Sequence, residues 1–169
     1  GHKEKKPASG FWAFTLVLLA LALSGYGMRE ALRVPPVREV RMQVPGLPDA
    51  LNGFRIAQLS DLHIGPTFGK AWLTDVVART DSLNPDLIVI TGDVVDGSPS
   101  RLEEDVAPLA DLKAKYGIIF APGNHEYYSG IQQWLPVFQR LGMHVLMNEN
   151  TQIRVNGTPL AIAGVTDTA

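Results

Sequence analysis

The chain has 169 residues, 46% of them hydrophobic and 19% charged, enough for one medium domain with a core of its own. A net charge of -2 gives no electrostatic reason to expect nucleic acid as a partner. The absence of cysteine excludes disulfides, thiolate nucleophiles and cysteine-ligated zinc.

Residues 1–9 form a basic flank with Lys3, Lys5 and Lys6, and residues 10–28, "GFWAFTLVLLALALSGYGM", carry no charge. At about 1.5 Å per residue that stretch just crosses a bilayer core of roughly 30 Å. Phe11, Trp12 and Tyr26 sit where interfacial aromatics are favoured. A retained membrane helix is the first reading. A cleaved signal peptide, with a small-residue site at Ala22-Leu23-Ser24, is the alternative. The lysines before the span place its N-terminal side in the cytoplasm and the following domain outside, against the pull of Arg29, Arg33, Arg38 and Arg41 beyond it. Residues 29–36, with Pro35-Pro36, read as a linker. A domain over 37–169 follows.

In that domain "VREVRMQV" alternates with period two and predicts an edge strand, and "FRIAQLSD" predicts a strand ending in polar residues. "GKAWLTDVVARTDSLN" has helical spacing and closes at Asn84-Pro85. "DLIVITGD" is a short apolar run of the kind buried on both faces. "RLEEDVAPLADLKAKY" predicts a helix that Pro108 bends or starts. "GIIFAPGN" is another buried strand, and "SGIQQWLPVFQRLGM" a helix interrupted by Pro136. "HVLMNE", "TQIRVNG" and "PLAIAGV" read as closely spaced strands, with Asn156-Gly157 as a hairpin turn. The alternation implies an α/β domain with a parallel sheet and helices on its faces, and ligands bind beyond the carboxyl ends of such strands. Polar groups fall there after all three core strands, as "SDLH", "TGDVVD" and "PGNHE".

Asp61 and His63, two apart on an extended strand end, project the same way and can grip one ion. Asp93 can bridge two ions through its two oxygens, and Asn124 offers an amide oxygen to the second. Carboxylate, imidazole and amide suit two divalent ions such as Mn²⁺, Zn²⁺ or Fe²⁺. Held about 3.5–4 Å apart, such ions activate a bridging hydroxide for in-line attack on a phosphoryl group. Gly92 and Gly123 precede ligands, where a side chain would crowd the metals or a tight turn needs free backbone. Asp96 and Glu126 read as supporting or capping groups. Tyr127 and Tyr128 could touch a leaving group, with loop packing the plainer reading.

D-x-H at Asp61–His63, G-D-x-x-D at Gly92–Asp96 and G-N-H-[DE] at Gly123–Glu126, in order and each after a strand, resemble the calcineurin-like metallophosphoesterase superfamily. With the apolar segment, the chain looks most like the bacterial membrane-associated members. The resemblance implies the first half of a four-layer αββα sandwich. It implies that Asp61, His63 and Asp93 hold one metal and Asp93 and Asn124 the other. His125 would be no ligand but a donor to the phosphoryl oxygens or the leaving group. The substrate class it implies is a phosphomonoester or phosphodiester. A lipid-linked or cell-envelope phosphate follows from the apolar segment alone. A scaffold that keeps the fold without turnover is the alternative. The family completes its site with a further His and a G-H-x-H motif. The four histidines here include His2 and His144, and neither lies in such a motif. The chain opens on Gly-His and stops after an apolar run, so it reads as the N-terminal part of a larger enzyme.

Overall fold

The computed structural model describes residues 9–167, so His2 and the lysine flank lie outside the described residues. The chain divides after Arg33 into two units. The first is α1, Ser9–Ala31, an unbroken helix that runs through Ala22–Ser24 with its apolar side chains exposed. Over Gly10–Ala31 it is long and apolar enough to cross a membrane.

The second unit is mixed α/β. Its elements are β1 (Ile56–Leu59), α2 (Lys70–Asp81), β2 (Leu87–Ile90), α3 (Pro99–Val106), β3 (Ile118–Phe120), α4 (Asn124–Tyr128), α5 (Ile131–Arg140), β4 (Met143–Val145), β5 (Glu149–Val155) and β6 (Thr158–Gly164). Strands β1 to β4 form one parallel sheet in the order β1-β2-β3-β4, with Ile90 beside Leu59 and Phe120. Period-two side-chain alternation sorts this sheet into two apolar layers. Ile88, Ile90, Ile118 and Phe120 pack with Leu73 and Val77 of α2, Leu102 and Val106 of α3, and Trp134 and Phe138 of α5. Leu87 and Ile119 face the other way and meet Leu146, with Ile153 and Ile162 of the antiparallel β5–β6 hairpin against them. The amphipathic helices α2, α3 and α5 thus share one apolar cluster, whereas the sequence had placed helices on the faces generally.

Four local expectations change. Residues 37–44 form no strand; Val40 and Met42 are exposed, because no neighbouring chain offers ladder partners among the described residues. The strand expected over "HVLMNE" is the shorter β4, Met143–Val145, and it pairs with β3 in the main sheet. Pro108 neither starts nor bends α3, which opens at Pro99; the chain tightens into a 3-10 turn over Ala107–Asp111, since Pro108 cannot donate to the Glu104 carbonyl. Helix α5 runs straight through Pro136, where the N–H lost is the one that would reach Gln132, an exposed residue whose carbonyl can turn to water. The buried face of Ile131, Trp134, Val137 and Phe138 holds that helix in place.

Candidate metal centre

Because β1, β2 and β3 are parallel, their carboxyl ends open on one edge of the sheet, and the polar residues gather there. Asp61, His63 and Asp93 all adopt left-handed backbone (φ 57°, 46° and 54°), a conformation costing about 1–3 kcal/mol each. Cross-loop hydrogen bonds hold them in it. The Asp61 amide donates to the Gly92 carbonyl (3.2 Å), the His63 amide to that of Asp93 (2.9 Å) and the Ile64 amide to that of Val94 (2.8 Å). Two glycines let the loops approach. Gly92 has φ 85°, and a Cβ on it would press into the Gly123 backbone, 2.6 Å from its Cα. A Cβ on Gly123 would strike the Asp93 carboxylate and come 2.9 Å from its amide nitrogen. The left-handed φ of Gly92 is the free backbone expected of a tight turn, and close packing between the two loops is a further demand on both glycines.

Glu126 is fully buried and ties the second loop to the third. Its Oε1 accepts from the amides of Val94 (2.7 Å) and Val95 (3.3 Å), its Oε2 from those of Asp93 (2.9 Å) and Gly123 (2.8 Å). Burial pushes its pKa up, while these four N–H donors pull it back toward the carboxylate form. All four partners are donors, which is the environment of an acceptor-only carboxylate. His125, second residue of α4, gives its amide to Asp93 Oδ1 (2.9 Å).

Asp96 Oδ1 sits between two imidazoles, 3.0 Å from His63 Nδ1 and 2.6 Å from His125 Nδ1. The rings meet edge to face, with centroids 4.5 Å apart. The hydrogen bond from Asp96 raises the pKa of His63, against partial burial. Burial opposes the Asp96 charge, yet the bonds from His63 and His125 outweigh it and hold that carboxyl below its ordinary value. Since protons on the two Nδ1 atoms account for the His63–Asp96–His125 cluster, it needs no ion. It leaves each ring with Nε2 free to act.

His63 Nε2 turns toward Asp61, 3.9 Å from its Oδ1. Ligand atoms of Asp61, His63 and Asp93 lie within 4.8 Å of one another and could hold a metal ion. The Asn124 amide lies 3.1 Å from both carboxylate oxygens of Asp93. In the metal-free chain its NH₂ donates to them; turned over, its oxygen takes the same place, and three oxygens converge as they do around a cation. An oxygen-rich set with one imidazole fits a divalent ion of intermediate hardness. A histidine held through Nδ1 by a carboxylate while Nε2 faces the ligand position is the usual support of a metal-binding imidazole.

All seven residues singled out in the sequence (Asp61, His63, Asp93, Asp96, Asn124, His125 and Glu126) thus come together at one edge. What sequence reasoning missed is the double engagement of Asp96 and the fourfold one of Glu126. It also missed Ser60, whose Oγ donates to Asp61 Oδ2 (2.5 Å); adjacency to a candidate ligand was its one signal. His144 is exposed on β4, paired in register with Ile119, away from these groups.

Residues 54–166 match the calcineurin-like phosphoesterase family. The chain is 36% identical over 170 residues to a transmembrane protein with a metallophosphoesterase domain from Danio rerio, covering 97% of this chain and 39% of that protein. It is 37% identical to the protein of the same description from Bos taurus, over 89% of this chain and 36% of that one. An uncharacterised metallophosphoesterase of Campylobacter jejuni is 31% identical, over 92% of this chain and 40% of the relative. Similar proteins thus come from animals as well as bacteria, and the chain spans about two fifths of their length. The family implies divalent metal ions, and the Asp61, His63 and Asp93 group could hold one. The parallel sheet, the ordered motifs and the matched span together place this chain in the calcineurin-like phosphoesterase family.

Proposed function

We propose that the whole protein is a metal-dependent phosphoesterase that hydrolyses a phosphomonoester or phosphodiester beside a membrane. The observation that carries this reading is Asp93, a single carboxylate grouped with Asp61 and His63 and also in contact with the Asn124 amide. Asp61, His63 and Asp93 would hold one divalent ion, and Asp93 with Asn124 a second. Mn²⁺, Zn²⁺ and Fe²⁺ suit these donors. Bound there, such ions supply an acidified water as nucleophile and neutralise charge building on the phosphoryl oxygens. Four protein donors leave both shells incomplete, so water or protein groups outside the described residues finish them.

His125 is no ligand in this reading. Its Nδ1 is engaged by Asp96, so Nε2 is the nitrogen that faces the phosphoryl oxygens or the departing alcohol. Asp96 fixes the orientation of both imidazoles, and Glu126 fixes the loops that carry Asp93 and His125. Helix α1 supports action at a membrane, as do relatives described as transmembrane. The lysine flank favours a domain on the extracytoplasmic side. A lipid-linked or cell-envelope phosphate ester fits that setting. A scaffold without turnover would have no use for three strained residues carrying converging donors, which favours the enzyme.

The test is hydrolysis of 4-nitrophenyl phosphate and bis(4-nitrophenyl) phosphate by the full-length protein. Turnover with added Mn²⁺ that a chelator abolishes is expected. Chelator-resistant turnover, or none with any of the three metals, counts against the reading.

A further inference from the structure

Tyr128 ends α4 and is the one residue of that helix exposed to solvent, at 72%. Loop packing therefore does not account for it. Its ring stands 5.7 Å from that of His125, at 62°, and His125 in turn meets His63 at 4.5 Å. The three rings make a row leading outward from the Asp61–His63–Asp93 donors. Beside His125 lies a shallow, open cleft of about 450 Å³, lined by Asp96, Gly97, Ser98, His125, Tyr128 and Ser129.

Apart from His125 Nε2 and the Tyr128 hydroxyl, the polar groups of that cleft are engaged within the protein. Ser129 Oγ donates to the Val95 carbonyl (3.0 Å), Ser98 Oγ is paired with Ser100 Oγ (2.9 Å), and Asp96 is held by the two imidazoles. No lysine or arginine lines it, and its one carboxylate repels a second anion. What the cleft offers a ligand is the face of an aromatic ring. A flat or apolar uncharged group gains most there, through area removed from water and ring stacking.

We propose that this cleft seats the leaving group of the substrate, with the Tyr128 ring stacked on it. The site then takes phosphoesters of aryl or similarly flat, uncharged alcohols in preference to those of short alkyl or anionic alcohols. The proposal rests on the phosphoesterase reading, since it takes the phosphoryl group to lie at the Asp93 donors. His125 is then placed between the phosphoryl group and the departing oxygen, where Nε2 can reach either.

The experiment is calorimetric binding of phenylphosphonate and methylphosphonate to the Mn²⁺-loaded full-length protein, for wild type, Tyr128→Ala and Tyr128→Phe. Tyr128 is exposed, so neither substitution threatens the fold. Tyr128→Ala is expected to weaken phenylphosphonate about tenfold, in line with one aromatic stacking contact, and methylphosphonate less than twofold. Tyr128→Phe keeps the wild-type preference. In turnover of an aryl phosphodiester, Tyr128→Ala is expected to raise KM with kcat little changed. If both phosphonates bind and Tyr128→Ala weakens both alike or neither, the leaving-group seat is overturned while the phosphoesterase reading stands. If neither binds the metal-loaded wild type, both fall.

Discussion

Two carboxylates divide the work of the centre. Asp93 is grouped with Asp61 and His63 and touches the Asn124 amide, while the Asp96 carboxylate is bonded to the two imidazoles. Their substitutions should therefore separate. Asp93→Asn is expected to lose metal from both positions, because a neutral amide cannot offset the charge of two cations. The variant can still accept the His125 amide through its side-chain oxygen, so the loop is retained and the loss reads as loss of charge. His125→Ala is expected to keep near-normal metal content and lower kcat by about 10²–10³, the cost of one preorganised donor. Elemental analysis of the dialysed proteins beside steady-state kinetics checks both. Metal lost with His125→Ala and kept with Asp93→Asn would reverse the roles.

At the level of elements, α4 is too short to hold itself together by helical hydrogen bonds, and Glu126 is what anchors it. The side chain reaches back to the amide of Gly123, one half of a capping box, and across to three amides of the loop after β2. Glu126→Gln keeps the size and replaces one acceptor by an NH₂ group, so two of the four buried N–H groups lose their partner. The expected cost is about 2–6 kcal/mol, from about 1–3 kcal/mol for each donor left unpaired. Urea denaturation should show a lower midpoint with an unchanged slope. An unaltered midpoint would mean that the loops do not depend on this carboxylate. A glycine pair completes the same joint, since β2 and β3 can present Asp93 and Asn124 to each other only where neither Gly92 nor Gly123 carries a Cβ.

On the scale of the molecule, the globular unit leaves apolar surface uncovered. Val40, Met42, Ile56 and Val165 are 70%, 79%, 52% and 77% exposed. Among the described residues β5 pairs only with β6, so each strand of the hairpin presents a free edge. Residues 34–169 expressed by themselves are accordingly expected to self-associate and to be silent toward phosphodiesters with Mn²⁺. Light scattering coupled to size exclusion, with a turnover assay on the same fractions, decides this. A monodisperse monomer that turns over would show that groups already within this span complete the site.

Much of this was written locally. Continuous apolar runs such as "DLIVI" bury both faces of a strand, helical spacing from Trp72 to Val77 builds α2, and polar residues crowd the points where three strands stop. Those patterns depend on neighbours within a few positions, and they sufficed to bring Asp61, His63, Asp93 and Asn124 into view. Residues 37–44 show the limit of the same logic. Their alternation is that of a strand, yet a strand forms only when another chain segment supplies its hydrogen bonds. Asp96 binding two imidazoles from 33 and 29 positions away, Glu126 spanning three loop amides, and β4 pairing with β3 in the main sheet all join residues remote in sequence. The sequence by itself determined which groups could serve the centre. Tertiary structure decided which nitrogen, oxygen and left-handed backbone each one presents, because those follow from contacts between loops that no local pattern encodes.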